Sequence, residues 1–69
     1  MSNEVKYPEI TVKLTGQDGN IFGLIGICTL AMQRAKVSRA ERDAFVEEVT
    51  HTRSYMEALA VIMRWVDVE

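Results

Sequence analysis

The chain has 69 residues, with 10 acidic and 8 basic side chains and a formal net charge of −2. This length allows one domain at most, and a chain so short hides only about 60% of the surface that its unfolded form exposes. The charge offers no general attraction for nucleic acid or for an anionic membrane, which argues against a role at either.

Few residues could cross-link so small a domain. Cys28 is the single cysteine and cannot close an intrachain disulfide, and His51 is the single histidine. Self-association is left as the expected source of extra stability. Because Cys28 lies among apolar neighbours, we interpret it as a buried small side chain in a reducing cytoplasm and not as a reactive thiol.

No segment is typical of export or of a membrane span. The apolar run at residues 21–32 carries no charge, but it is well short of the roughly 20 residues that a membrane helix needs. No basic segment precedes an apolar run as it does in a secretion signal. We therefore expect a soluble cytoplasmic protein.

The first predicted element is a strand that follows a flexible lead-in at residues 1–8. Ile10, Val12 and Leu14 alternate with polar residues, a pattern typical of a strand with one buried face. A lone strand is not stable. Its partner is either the same strand of a second subunit or the C-terminal segment 65–69, which could be strand or helix and could pair with it antiparallel.

A polar, glycine-rich turn at residues 15–20 precedes the first predicted helix. Its Asp-Gly dipeptide favours positive φ angles. Asn20 stands at the N-cap position, where its side-chain oxygen would accept a hydrogen bond from the first turn, so the helix is predicted from Ile21 to about Lys36. The glycines match neither the Walker A pattern nor the Rossmann fingerprint.

This first helix is apolar on two faces. A domain of this size cannot bury such a helix on every side, so the second face is expected to meet another subunit. Glycine within a helix costs about 1 kcal/mol relative to alanine, and close packing against another backbone would offset that cost. The residues predicted for this subunit interface are Phe22, Gly23, Ile25, Gly26 and Met32.

Two Ser-x-x-Glu patterns mark the starts of two more helices. Ser38 and Glu41 form the first capping box, ahead of an amphipathic helix, and Ser54 and Glu57 form the second. The third helix is therefore predicted to begin at Tyr55. Its expected buried residues are Met56, Leu59, Ala60, Ile62 and Met63.

These elements predict a mostly helical α+β fold. We expect one N-terminal strand, three helices and, as an option, a short C-terminal strand, in a single domain at residues 9–69. The protein is expected to be a small homo-oligomer.

No residue pattern is typical of catalysis or metal binding. Cys28 and His51 fall on different predicted elements, and no Cys/His cluster has metal-ligand spacing. We interpret Asp18, Glu47 and Glu48 as solvated side chains, because so small a domain offers little water-excluding pocket to perturb their pKa values. We predict a non-enzyme with neither cofactor nor metal.

The sequence supports ligand binding better than catalysis, because the loop at residues 50–54 is dense in hydrogen-bonding groups. A helix N-terminus beside Arg53 and Ser54 suits an anion such as a phosphate. Tyr55 or Trp65 could stack on a base. The alternatives are an ordinary capped connector, with Arg53 in solvent, and a Trp65 side chain that seals the edge of the core.

A cluster of basic residues extends from the end of the first predicted helix into the start of the second. Two interpretations stay open: helix ends stabilised by the helix dipole, or a patch that binds nucleic acid. The absence of an aromatic residue between these cations argues against the second. The cluster consists of Arg34, Lys36, Arg39 and Arg42.

Two segments of the chain carry distinctive sequence motifs. Residues 13–20 read Lys-Leu-Thr-Gly-Gln-Asp-Gly-Asn and precede Phe22, and residues 64–68 read Arg-Trp-Val-Asp-Val. They resemble the Thr-Gly-x-Asp-Gly-Asn-x-Phe segment and the Arg-Trp-Val-x-Val end of small, mostly uncharacterised proteins of phages and prophages. The chain departs from this family at residues 51–54, His-Thr-Arg-Ser, where many relatives have a Ser-Gly-Asp sequence.

The resemblance implies a phage origin and action in the host bacterial cytoplasm through binding of host factors. One class of such proteins sequesters the cyclic nucleotides that bacterial defence systems use as alarm signals.

Three functions from different classes are therefore hypotheses. The first is capture of a nucleotide-derived immune signal where subunits meet. The second is inhibition of a host enzyme through an exposed apolar stripe around Phe22, Ile25 and Met32. The third is a nucleic-acid module that uses the basic cluster. The ligand-binding residues expected for the first are Asn20, Arg53, Ser54, Tyr55 and Trp65.

Overall fold

A computed structural model of the protein describes residues 5–13 and 20–69. Leu14 and residues 15–19 of the predicted glycine-rich turn lie outside these residues. The elements confirm the mostly helical α+β fold of one N-terminal strand, three helices and a short C-terminal strand. In chain order they are β1 (Tyr7–Val12), α1 (Ile21–Arg34), α2 (Arg39–Thr50), α3 (Tyr55–Trp65) and β2 (Val66–Val68).

The two strands pair in parallel, with Tyr7 beside Val66 and Val12 beside Val68. The antiparallel arrangement considered from the sequence is therefore wrong. Parallel strands need a long crossover connection, and here the three helices supply it by returning the chain to the start of β1. The pairing continues beyond the strands, where the Glu69 N–H donates to the Val12 carbonyl at 2.9 Å.

The strand begins at Tyr7, two residues before the first residue predicted from the alternation. The Tyr7 ring stacks on Trp65 with 6.2 Å between ring centroids, and the Lys6 N–H donates to the Arg64 carbonyl at 2.9 Å. These contacts between the two ends of the domain correct the interpretation of residues 6–8 as a flexible lead-in. Residues 1–4 lie outside the described part of the chain.

The helix starts follow the predicted caps. The Asn20 side chain accepts a hydrogen bond from the Phe22 N–H at 3.0 Å, and the Ser38 hydroxyl accepts one from the Glu41 N–H at 3.3 Å. The first helix ends at Arg34, before the predicted Lys36. Lys36 itself has φ of 66°, and the Val37 N–H then reaches back to the Met32 carbonyl, a bond that closes the helix.

The core lies between the helices and the inner face of the sheet. It contains residues from all five elements: Ile10, Val12, Leu24, Ile25, Cys28, Met32, Phe45, Val49, Ala58, Val61, Ile62, Trp65 and Val66.

The face of α3 that was predicted to be buried is mostly exposed. Met56 is 74% exposed and Met63 is 56% exposed, Ala60 is exposed and Leu59 is half-buried. Of the five residues expected in the core, only Ile62 is buried. The helix is apolar over most of its circumference, so periodicity could not select its inner face. The buried face consists of Ala58, Val61, Ile62 and Trp65.

Lys6, Tyr7 and Glu41 form a polar cluster that ties β1 to α2. The Glu41 carboxylate lies 2.7 Å from the Lys6 ammonium and accepts a hydrogen bond from the Tyr7 hydroxyl at 2.9 Å. The hydrogen bonds from Lys6 and Tyr7 hold the pKa of the Glu41 carboxyl below its usual range. This use of Glu41 also replaces the backward bond that a complete capping box would make.

We expect the Glu41→Gln substitution to lower the free energy of unfolding more at neutral pH than in acid. Because the pKa of Glu41 is lower in the folded chain, its carboxylate stabilises the fold fully above the unfolded value of 4.5 and progressively less as the pH falls through the folded value. Urea unfolding at neutral pH and near pH 3 measures the difference between the two proteins, with Glu47→Gln on the exposed side of α2 as the control. An equal difference at both pH values would contradict the expectation.

Candidate functional site

An open groove of about 340 Å³ lies between the first turn of α1 and the connection from α2 to α3. Two segments that are distant in the sequence form it, residues 21–25 and residues 49–58. Its lining residues are Ile21, Phe22, Ile25, Val49, Thr50, Thr52, Arg53, Ser54, Tyr55 and Ala58.

The groove has an apolar floor. Ile25, Val49 and Ala58 line it and are also part of the buried core. Two aromatic side chains border it from different helices: Phe22 is 70% exposed and Tyr55 is 45% exposed. A ligand in this groove would therefore meet apolar surface below and aromatic rings at the sides.

Local hydrogen bonds stabilise the connection from α2 to α3, whose residues Thr52, Arg53 and Ser54 line the groove. The Ser54 hydroxyl accepts a hydrogen bond from the Glu57 N–H at 3.1 Å, and the Glu57 carboxylate accepts one from the Arg53 N–H at 3.0 Å. The Thr52 hydroxyl donates to the Val49 carbonyl at 2.7 Å. The predicted reciprocal cap is thus present, except that Glu57 reaches the residue before Ser54.

Two helix N-termini border the same groove. The first turns of α1 and α3 supply Phe22 and Tyr55 to its lining, and a helix N-terminus carries partial positive charge on N–H groups that have no acceptor within the helix. Asn20 and Ser54 each satisfy one such group, which leaves others in each first turn without an intrahelical partner. Arg53 adds a full positive charge, and of the lining residues that the structure describes it is the one charged residue.

The structure brings together three of the five predicted ligand-binding residues: Arg53, Ser54 and Tyr55 line the groove. Asn20 does not line the groove, but it caps α1 by accepting a hydrogen bond from Phe22, which does line it. The sequence led us to expect a site only where subunits meet, whereas one chain by itself already forms this groove.

The prediction of Trp65 as a ligand-binding residue is corrected, because Trp65 lies in the core and not at the groove. It is 7% exposed, and its ring meets Phe45 edge-on with 5.4 Å between centroids. Its indole N–H donates to the Glu48 carboxylate at 2.9 Å, and the Lys6 ammonium lies 4.4 Å from its ring centroid. Trp65 thus seals the edge of the core, the alternative that the sequence left open.

Of the residues predicted for the subunit interface, two are buried in the single chain and three are exposed. Ile25 is 7% exposed and Met32 is fully buried, so both belong to the core of the single chain and are not available to a second subunit. Phe22, Gly23 and Gly26 are exposed, and a Cβ built on either glycine would meet nothing within 4 Å. The α1 backbone is therefore open to solvent at the two glycines.

Sequence reasoning missed several residues of the groove. Phe22 was assigned to an interface, although its position just after the Asn20 cap was the signal that it lies at a helix start. Thr50 and Thr52 were noticed only as part of a polar loop. The apolar floor gave no local signal, because its residues come from three helices.

Cys28 is buried in the core, whereas His51 is exposed at the end of α2. Burial raises the pKa of the Cys28 thiol to about 11, so this fully buried side chain stays protonated near neutral pH. The His51 ring nitrogen Nδ1 lies 2.7 Å from the Glu47 carbonyl, at the end of α2. Among the described residues, no group of three or more His, Cys, Asp or Glu side chains is arranged to hold a metal ion.

The basic cluster contains side chains with different surroundings. Arg34, Lys36 and Arg39 are exposed, and Arg39 lies 3.8 Å from Asp43. Arg42 is half-buried, and its Nε atom is buried with no hydrogen-bond partner among the described residues.

Across residues 5–13 and 20–69, no helix has the length and apolar character to cross a membrane.

Comparisons with protein-family models, with curated proteins and with solved structures find no match to this chain.

Proposed function

We propose that this protein is a non-catalytic binding protein that holds a small, planar, phosphate-bearing ligand in the groove. The observation that carries the proposal is the meeting of two helix N-termini and Arg53 at the border of an apolar floor. Helix N-termini and arginine both favour anions, and a guanidinium can bind two oxygens of a phosphate in bidentate geometry.

The aromatic rings and the size of the groove narrow the ligand class. Phe22 and Tyr55 are exposed rings on which a flat, uncharged part of a ligand can stack. The volume of about 340 Å³ lies near the lower end of the range of small-molecule sites, about 300–1,000 Å³. A ligand with both a phosphate and a base, that is a nucleotide, uses both features.

The groove favours binding over catalysis. General acid–base chemistry requires a proton donor and acceptor set against the reacting group. Among the described residues that line the groove there is no His, Cys, Asp or Glu, and the polar side-chain groups are hydroxyls and one guanidinium. These groups can orient a ligand but supply no paired acid and base.

The resemblance to small phage proteins supports a biological role for such binding. A phage protein that holds a nucleotide-derived host immune signal removes that signal from the defence system that reads it. We accordingly propose sequestration of such a signal in the cytoplasm of the host bacterium.

The Arg53→Ala substitution is expected to lower the affinity for the ligand by about tenfold to a hundredfold, because a charge-assisted bond contributes about 1.5–3 kcal/mol. Thermal shift with cyclic dinucleotides, cyclic trinucleotides, cyclic ADP-ribose isomers and mononucleotides first identifies the ligand, and calorimetry then compares the parent with the variant. Arg39→Ala is the matched control, because Arg39 is exposed and does not line the groove.

A panel that gives no thermal shift for the parent protein would overturn the nucleotide proposal. Equal losses of affinity in Arg53→Ala and Arg39→Ala would overturn its placement in the groove.

A second candidate function is inhibition of a host enzyme by protein contact. It is favoured by the exposure of two large apolar side chains on α1, since Phe22 is 70% and Leu30 is 48% exposed. It predicts that the protein co-purifies with one host protein and that Leu30→Glu abolishes this association while binding of a nucleotide is unchanged.

A further inference from the structure

Helix α3 carries a second apolar face, opposite to the one in the core. It consists of Met56, Leu59, Ala60 and Met63, and we call it the α3 face. Met56 and Met63 are 74% and 56% exposed, and Ala60 between them is exposed. Spacings of three and four residues place these side chains on one side of a helix.

We propose that the α3 face pairs with the α3 face of a second copy of this chain, with the two helices antiparallel about a two-fold axis near Ala60. None of these residues lines the groove. The pairing therefore does not depend on the proposed ligand, and the two proposals can fail separately.

The charges beside the α3 face select an antiparallel partner. Glu57 and Arg64 are seven residues apart, which is close to two helical turns, so they lie on the same flank of α3. A two-fold axis across antiparallel helices brings identical flanks together with their ends reversed. Each Glu57 then lies near Arg64 of the second copy, and this opposite-charge contact occurs twice.

Both charged groups have capacity for such a contact. Arg64 uses Nη2 to bind Glu48 at 3.0 Å, but a guanidinium has further N–H donors and this side chain is 63% exposed. Glu57 accepts the Arg53 N–H through Oε1, and it is exposed. The helix dipoles also favour antiparallel neighbours, because the positive end of one lies beside the negative end of the other.

The shape of the α3 face suits a close helix crossing. Ala60 is small, so two helix axes can approach at this point. Met56 and Met63 stand on either side of it, and the reversed helix places each methionine near the other one of the second copy. Methionine side chains are flexible enough to fill the spaces that such a crossing leaves.

Sedimentation velocity over about 1–500 μM tests the pairing by measuring the dimer dissociation constant. We expect the parent to dimerise and Met63→Glu to weaken the dimer by about a hundredfold, because each substitution occurs twice and removes the burial of a methionine. Leu30→Glu, on the exposed side of α1, is the matched control and is expected to leave the dimer unchanged. Far-UV circular dichroism checks that both variants are folded.

An Ala60→Cys variant tests the axis itself. A disulfide forms only when the two Cα atoms come within about 7 Å, so air oxidation is expected to link two copies through this position. Leu30→Cys is the control that should not link, and the fully buried Cys28 does not compete.

Three results would overturn the proposal. They are a parent that stays monomeric over the whole range, a dimer weakened by Leu30→Glu as much as by Met63→Glu, and a dimer that Ala60→Cys fails to link.

Discussion

Replacing Trp65 with alanine is expected to lower the free energy of unfolding by about 3–5 kcal/mol, a large part of the total of about 5–15 kcal/mol for a small domain. The ring lies between β1 and α2, where it stacks on Tyr7 and meets Phe45 edge-on. The substitution also leaves the Glu48 carboxylate without its indole donor. The loss therefore combines an unfilled space in the core with a broken polar contact.

Urea unfolding followed by far-UV circular dichroism measures this change, because the substitution removes the tryptophan whose fluorescence would otherwise be used. Tyr55→Ala is the matched control: it also deletes an aromatic ring from α3, but from a side chain that is 45% exposed. We expect Tyr55→Ala to leave stability nearly unchanged. If Trp65→Ala unfolds at the same urea concentration as the parent, Trp65 does not have the structural role described above.

Replacing Met32 with lysine is expected to prevent stable folding. Met32 is fully buried at the end of α1 where the helix meets the core. An unpaired ammonium in such a position has an effective penalty of several kcal/mol even after the protein relaxes. The expected result is a far-UV spectrum of an unfolded chain at room temperature.

The control for Met32 lies ten residues earlier on the same helix. Phe22→Lys introduces the same charge at a side chain that is 70% exposed, and we expect a folded protein. A folded Met32→Lys variant that differs from the parent only in oligomeric state would show that Met32 faces a second subunit, as the sequence first suggested. The pair of variants thus separates a core position from an interface position.

The starts of the helices were predictable because their chemistry is local. A cap needs one side chain and a backbone N–H two or three residues later, and Asn20, Ser38 and Ser54 make these bonds. The strand alternation also had a clear period, and Ile10 and Val12 are buried as it required. Both signals are complete within a few residues of sequence.

The sequence could not predict which face of α3 is buried, because the helix has apolar residues on two opposite sides. Trp65 determines which side of α3 faces the core. It lies at the junction of α3 and β2 and stacks on Tyr7, which is distant in the sequence. The direction of β2 relative to β1 also depends on tertiary structure, because the path of three helices sets it. A pattern within one segment contains neither piece of information.

The groove was predictable in part. The loop chemistry identified Arg53 and Ser54, and Tyr55 follows them at the helix start. The opposite wall could not be identified, because the first turn of α1 reaches this loop only through tertiary packing. Trp65 was misassigned to the site for a related reason: an aromatic residue beside an arginine has the same sequence appearance in a core as in a binding site.

The parallel pair of β1 and β2 has a consequence for the order of folding. The strands that define the sheet lie near opposite ends of the sequence, with Tyr7 beside Val66 and the Glu69 N–H bonded to Val12. During synthesis, β1 leaves the ribosome long before its partner exists, and closing so long a loop carries a large entropic cost. The nascent chain can form its helices early, but its first strand lacks its partner until residues 66–68 emerge.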